Sequence, residues 1–436
     1  MKYLSLAAIV YLVVASLTVI TQAGSGLVAY MPDDAFYYLT HARTFSETGH
    51  WPSSGVHPLW AIILVPIHTP SFAAGLCALL TLTTCIAAWR WSTTDEQHLA
   101  LALIFSTPGF FMNMVGGMET GILLFVMALG SWAYYRNRRM WVAVCSALLV
   151  LARLEAVALL GILYLATEDT KMKYRVLCGA VVGLILVVIW NMFISGEIFS
   201  TSARMKVYWA TLYDPYALFR RGAGQAINWL TGINLPAMGI YVLALFVGVF
   251  RKKYAFVGVV AIIYVWARLE WVQAWHVVVA IPLVFVAVVT GLESLSVWRW
   301  PIYAVVVALI GVNVYQANQG VPYPAQQLFY AASQKMKATG VRYGSWNSGI
   351  LEWYNSGMVT NLDGLVNDEI HPWIMENRAV GYLKKKGLRY VVDSDSAIFA
   401  MVHRVRCGFP EGLHVKPAAV IGQTREFGVY RIWEVE

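Results

Sequence analysis

Charge is scarce in this sequence. Of its 436 residues only 13% are Asp, Glu, Lys or Arg, while 59% are hydrophobic. A soluble chain has no way to hide so much apolar surface, so a polytopic membrane protein is the expectation. Cysteine is sparse as well. Cys77, Cys85, Cys145 and Cys178 lie in apolar runs and Cys407 stands alone. That excludes a disulfide framework and reads as small core hydrophobes. No P-loop, GxGxxG, HExxH or zinc-spaced Cys/His set occurs, so nucleotide chemistry and zinc catalysis find no support. Neither an internal repeat nor a low-complexity segment is visible. The net charge of +8 sits largely in short loops, as an orientation signal and not a nucleic-acid footprint.

What charge there is is unevenly spread. Residues 1–317 hold 32 of the Asp, Glu, Lys and Arg residues, and the last 119 hold 24. The boundary near 318 therefore separates an expected membrane domain, 1–317, from a small soluble domain, 318–436. A span needs about 20 apolar residues, with a lower limit near 17. Candidates are 3–22, 71–89, 98–113, 118–135, 174–194, 235–250, 254–270, 274–291 and 300–317. The first run exceeds the apolar core of a signal peptide and no clear cleavage motif follows, so it reads as a span. His57 to His68 is too short to cross, holds two prolines, and either lies in the interface or re-enters.

Met140 to Thr167 is long but carries Arg153 and Glu155 halfway along. Lys2, Arg90, "RNRR" (136–139), "KMKYR" (171–175), "RKK" (251–253) and Arg299 fall on one side if this run enters and returns as two half-helices meeting at "ARLEA". Each half then measures about 20 Å at 1.5 Å per residue. The alternative is one tilted helix with "KMKYR" outside. By the positive-inside rule the basic side is the cytoplasm, together with the N-terminus. The total comes to about 9–11 membrane segments.

Nearly every polar residue without an orientation role then lies outside. Asp33 and Asp34 follow Pro32 in "YMPDDAFYYL". Proline and carboxylates suit the first turn of a helix. Adjacent carboxylates also repel, which raises the proton affinity of one and makes it a candidate general base. His57 and Trp60 in "GVHPLW" suit an interfacial anchor, and His57 can also meet a ligand. Glu119 in "GGMET" stands at the mouth of a span, either as a helix cap or as part of a site. Arg153 and Glu155 are costly in an apolar run unless paired and useful; two positions apart on one helix they do not face one another, but on a break they do. Arg204, Lys206, Arg220 and Arg221 make the loop 195–234 basic, which fits lipid headgroups in general or one phosphate in particular. "RLEWVQAWH" brings Arg268, Glu270, Trp271, Trp275 and His276 to the outer end of another span.

In order along the chain, "DDAFYYLTHART", "GVHPLW", "GGMET", "LARLEA", "ISGEIFSTSARMK" and "QAWHVVVAIP" resemble the GT-C superfamily of integral membrane glycosyltransferases that use polyprenyl-phosphate sugars. "YGSWNSGILEWYNSGMVTNLDGLVND" continues the likeness beyond 318. The bacterial branch it looks like includes mycobacterial arabinofuranosyltransferases. The resemblance implies a polyprenyl-phosphate sugar donor, an inverting displacement, and an acidic base in the first external loop, where Asp33 and Asp34 stand. Asp33 is the choice of base and Asp34 its partner or an acceptor ligand, though the sequence alone does not separate the two. Lys206 becomes the first ligand of the donor phosphate, with Arg204, Arg268 and His276 behind it. His57, Glu119, Arg153, Glu155 and Trp271 line or support the pocket. Where relatives carry Arg-Pro-Glu this chain has "RLE", so the break at 153–155 lacks its proline. No cofactor is required; a divalent metal is possible on an acidic pair but not indicated. The partners expected are the donor, membrane lipids and a glycan, glycolipid or protein acceptor, with no nucleic acid. The location expected is a bacterial inner membrane, with active site and C-terminal domain extracytoplasmic.

In residues 318–436 the apolar stretches "RYVVD" and "FGVYRIWEV" read as strands, and "AQQLFYAASQKMKA" and "ENRAVGYLKKKG" as helices, a small α/β or α+β domain. Acceptor recognition or a lid over the donor is the role expected of it. Two other functions compete: a transporter or flippase of a lipid-linked saccharide, and a ligase using a diphosphate donor. Against the first, polar residues crowd one face and the halves do not repeat.

Overall fold

The computed structural model describes residues 1–211, 247–249, 274–295, 299–319, 323–337, 339–395, 397–398, 414–424 and 428–435. The expected span 254–270 and nearly all of 235–250 lie outside them. The chain forms two compact units. The first comprises Met1–Ile20, Ala74–Val187 and Asp214–Gly320; the second comprises Thr21–Ala73, Val188–Tyr213 and Val321–Glu436.

Among the described residues, three helices are long and apolar enough to cross a membrane: Lys2–Ile20, Pro70–Trp91 and Thr170–Ser195. Apolar side chains stay on their outer surfaces, such as Val10, Val14 and Leu17 on the first and Ile185, Ile189 and Phe193 on the third. In water that exposure would be unfavourable; in a bilayer the surrounding tails are as apolar as the side chains. The chain is an integral membrane protein.

In the first unit the helix Thr170–Ser195 lies close against Arg139–Ala152 because its facing residues are small. A Cβ on Gly179 would stand 2.2 Å from the Ala143 carbonyl oxygen, and one on Gly183 2.8 Å from that of Ala147. This is the small-residue spacing that lets helix backbones approach in a membrane.

One expected span is two helices. The run 98–113 divides into Asp95–Phe105 and Pro108–Val115, bent by 68°. The cause is local: Pro108 cannot donate to the preceding turn, and the Thr107 side chain caps the new helix by accepting from the Phe110 amide at 3.3 Å. Counting this bent pair as one span gives four stretches long and apolar enough to cross a membrane among the described residues. Thr120–Tyr135, Arg139–Ala152 and Ala156–Ala166 are shorter apolar helices.

The run 140–167 breaks where the charges stand. Arg139–Ala152 ends at Arg153, whose backbone is extended at φ −157° and ψ 127°, and a new helix runs Ala156–Ala166. No proline is involved.

The second unit is built on a mixed five-stranded sheet, β1 (Tyr343–Ser345), β2 (Val359–Asn361), β3 (Tyr390–Ser394), β4 (Val415–Thr424) and β5 (Gly428–Val435), in the order β2-β1-β3-β5-β4. β1 runs parallel to both β2 and β3, and β5 is antiparallel to β3 and β4. The helices Pro324–Lys337 and Ala379–Lys386 fall where the apolar spacing puts them. Met205 of the helix Thr201–Thr211 is fully buried in the same core as Trp346, Leu362, Ile370 and Val391. The sheet therefore owes part of its core to a segment that enters from residues 188–213.

Candidate active site

In a sheet whose order runs β2-β1-β3, the chain leaves β1 on one side and returns on the other. The crevice at the carboxyl ends of such strands is where open α/β sheets bind ligands. Here the residues at those ends are Ser345, Asn347 and Ser348 after β1, Asn361 and Asp363 after β2, and Asp393 near the end of β3. Asp393 fills the β1–β3 position itself. It accepts from the Trp346 and Asn347 amides at 3.2 Å each, from the Asn347 side chain at 3.0 Å and from the Ser394 amide at 2.8 Å.

The helix Asp33–Thr48 docks on the same edge. Its start is set by Pro32, with φ −64° and ψ 155°, and its end by Gly49 at φ 72°. Asp33 and Asp34 occupy the first turn, and Asp33, Tyr37 and His41 follow one another at helical spacing. Asp33 is buried. Its Oδ2 accepts from the Gly349 amide at 2.9 Å and its Oδ1 from the Ile350 amide at 2.8 Å. The Tyr37 hydroxyl donates to the Trp346 carbonyl at 3.4 Å and accepts from the Ser348 amide at 3.3 Å and the Asn361 side chain at 3.4 Å. Arg43 donates to the Trp353 carbonyl at 2.8 Å and stacks over its ring at 4.3 Å. Three side chains of one helix thus grip the segment 346–353.

Electrostatics at this edge favour bound protons. Burial pushes the Asp33 carboxyl up to about 7 against the pull of its two amides, with Asp34 and Asp393 adding repulsion. Burial, Asp34 and Asp33 push Asp363 up to about 8, and burial raises Glu352 to about 7 although Arg43 opposes it. Burial lowers His41 to about 4. Its Nδ1 faces the Tyr37 carbonyl at 2.8 Å.

The second unit also holds the other outer-loop residues expected at a site. Asp34 and His57 are half-buried, and His57 precedes the short helix Pro58–Leu64. The neighbouring Ser53 donates to Asp368 at 2.5 Å. Arg204 is engaged twice, with Glu197 at 3.1 Å and His371 Nδ1 at 3.3 Å. Lys206, half-buried two residues on, makes no ion pair or hydrogen bond with the described residues.

The first unit holds the rest. Arg153 is buried and forms an ion pair with Glu119, which is fully buried; a second pair goes to Glu155 at 3.0 Å. Arg153 also donates to the Trp275 carbonyl at 3.3 Å, and His276, buried, follows in the 3-10 segment Ala274–Ala280. The pairing of Arg153 with Glu155 across two positions requires the helix break, and the break in turn frees Arg153 to reach Glu119. Arg268 and Trp271 lie outside the described residues. Among the described residues, no group of three His, Cys, Asp or Glu side chains is arranged to hold a metal ion.

No protein-family model matches the chain, and no curated protein matches it. Solved structures do. ArnT from Cupriavidus metallidurans, in the apo state, matches 98% of this chain with 97% of its own at a TM-score of 0.54 and 14% identity. The same protein bound to undecaprenyl phosphate gives 0.55 over 97% of each chain, again at 14% identity. The archaeal oligosaccharyltransferase AglB from Archaeoglobus fulgidus gives 0.46 at 11% identity, over 93% of this chain and 71% of its own. The chain has the GT-C fold. The likeness to ArnT runs almost end to end and takes in the C-terminal sheet as well as the helices.

Sequence reasoning did not single out Tyr37, Asp363 or Asp393. The polar loop "TNLDGLVND" was the available signal for Asp363. Asp393 ends a strand that reads as "YVVD", and Tyr37 stands in an aromatic run where nothing distinguishes it.

Proposed function

We propose that this protein is an inverting glycosyltransferase that moves a sugar from a polyprenyl phosphate to the hydroxyl of a glycan, glycolipid or protein on the extracytoplasmic side. The observation that carries the reading is Asp33: a buried carboxylate held by two amides, carrying a proton affinity near neutrality. A general base works best when its pKa lies close to the working pH. The GT-C fold and the undecaprenyl phosphate bound in one ArnT structure support the class of donor.

Asp33 takes the proton of the acceptor hydroxyl while that oxygen attacks the anomeric carbon from the face opposite the phosphate. The bond between the anomeric carbon and the phosphate oxygen breaks, and its electron pair leaves with the polyprenyl phosphate. A phosphate needs no acid to leave, only stabilisation of the charge that develops on it. Lys206 is the residue proposed for that task, because Arg204 is already engaged by Glu197 and His371. Asp34 orients the acceptor. The sugar is arabinofuranose or a hexose such as mannose. No step in this scheme needs a metal.

The test is transfer by purified protein from synthetic undecaprenyl-phosphate arabinofuranose and undecaprenyl-phosphate mannose to octyl glycoside acceptors. Transfer with inversion that Lys206→Ala lowers without changing thermal stability supports the scheme. Donor binding without transfer, together with movement of lipid-linked saccharide across vesicles, would instead identify a flippase.

A further inference from the structure

The base is buried against the turn that follows β1, more than 300 positions away in the sequence. Both Asp33 oxygens are held, each by a different amide, at 2.9 and 2.8 Å. The approach is so close that Gly349 tolerates no side chain. A Cβ there would lie 2.2 Å from the Asp33 carbonyl oxygen and 3.0 Å from its carboxyl carbon. The Tyr37 hydroxyl joins the same turn to Asn361, whose side chain also donates to Ser348 Oγ at 2.9 Å.

We propose that the Gly349 and Ile350 amides are the orienting partners of the Asp33 base, so that the turn after β1 positions the catalytic carboxylate. This rests on the glycosyltransferase reading given above. Each carboxylate oxygen has two acceptor directions. One on each is occupied by an amide, and the outer ones remain for the acceptor hydroxyl. The amides fix the carboxylate's plane and aim, as the third member of a catalytic triad orients its base. They also hold its basicity down, because a donor to the anion favours the charged form. Among the described residues, the titratable groups interacting with Asp33 are acids: Asp34 and Tyr37 on its own helix, Glu352 on the next turn, Asp363 after β2, Asp393 on β3 and Tyr430 on β5. Against that repulsion the two amides are what keeps the anion in reach at neutral pH. Gly349 and Ile350 are therefore positioning residues, acting through their backbones.

Side-chain substitution of Asp33 is ambiguous, since Asn turns an amide toward two N–H donors and disturbs the fold whatever the chemistry. The decisive variant replaces Ile350 by its α-hydroxy acid, which removes the one N–H and keeps every side chain. It is made in the full-length protein and assayed with the same two synthetic donors across pH 5 to 9. Losing a hydrogen bond to a charged group moves the acid limb of kcat/KM up by about one to two pH units. Activity at pH 6 then falls about tenfold or more while activity at pH 9 stays close to wild type. Gly349→Ala, which forces the carboxylate off the amides, moves the limb the same way. A wild-type enzyme that transfers sugar but whose acid limb does not move in either variant overturns the proposal, and makes these amides a purely structural tie. Absence of transfer by the wild-type protein from both donors overturns the glycosyltransferase reading, and this inference with it.

Discussion

Buried carboxylates are handled in opposite ways in the two units. In the first, buried Glu119 and half-buried Glu155 share one guanidinium, that of Arg153, through ion pairs. In the second, Asp33 and Asp393 are held by neutral amides, with Asp34 and Asp363 adding repulsion. Pairing with a guanidinium holds a carboxylate in its charged state, because Arg does not give up its proton. Amides stabilise the anion less, so burial can win and leave a group that exchanges a proton near neutrality. A carboxylate that must collect a proton during a reaction belongs in the second setting.

The largest effect that tests this contrast is expected at Arg153. Arg153→Ala strands two carboxylates in an apolar unit and costs about 3–5 kcal/mol. The variant is expected to be lost from the monodisperse peak on size exclusion in detergent. The triple change Arg153→Met, Glu119→Gln, Glu155→Gln removes the charges together and is expected to recover the folded protein. If the triple variant folds, its transfer activity tells whether the cluster is only a structural joint. Full inactivity in a folded triple variant would break the contrast, by giving the first unit's carboxylates a chemical role too.

Next in size is Lys206. Lys206→Ala is expected to lower kcat/KM by about 10²-fold with little change in melting temperature, since the side chain has no partner among the described residues. Arg204→Ala is expected to do the reverse, lowering the melting temperature by releasing Glu197 and His371 while affecting turnover less. If the two variants exchanged these behaviours, Arg204 would be the phosphate ligand.

How much of this was legible beforehand depended on which atoms do the holding. Side-chain chemistry left traces. The pair Asp33–Asp34 after a proline announced a helix start, and Arg153 and Glu155 announced a break even without a proline, because two charges in an apolar run need partners that a straight helix denies them. β3 and β5 were readable as short apolar stretches between helical ones. β4 was not: Pro417 and Gly422 interrupt it, and the pairing with β5 slips at Pro417/Ala419 and Val420/Gly422. The bend at Thr107–Pro108 was hidden inside one apolar run. Least legible were the partners of Asp33, because they are backbone amides 316 and 317 positions away and every non-proline residue carries one. For the same reason the boundary near 318 reads as a domain border, although Asp33, Tyr37, Arg43 and Met205 all make contacts beyond it. Deleting 318–436 would remove these contacts along with any acceptor-binding role.

The acidic edge also sets a pH dependence of stability, smaller than the effects above. Asp33 and Glu352 at about 7 and Asp363 at about 8 stand above their ordinary values of 3.8, 4.5 and 3.8. Between those limits the folded state binds more protons than the unfolded one, so stability falls as pH rises. His41 acts with the opposite sign. Its value of about 4 lies below the ordinary 6.5, so its contribution is complete above 6.5 and is lost as pH falls toward 4. The melting temperature in detergent is therefore expected to rise by several degrees from pH 8 to 6.5 and to go on rising toward pH 5, less steeply than the three carboxyls alone would give because His41 offsets one of them. A melting temperature that stayed flat from pH 6.5 to 8 would mean that these carboxyls ionise in the folded protein as readily as in the unfolded one.

The smallest effect is expected at Tyr37. Its hydroxyl contacts are long, at 3.3–3.4 Å, so Tyr37→Phe costs about 1 kcal/mol or less. It removes a tie to Ser348 and Asn361 without touching the amides that hold Asp33. A small loss of melting temperature with an unmoved acid limb of kcat/KM is the expected result. If the limb moved as far as it does in the Ile350 α-hydroxy acid variant, orientation of the base would depend on the whole turn from Trp346 to Ile350, and the two amides could no longer be separated from the hydroxyl that anchors them.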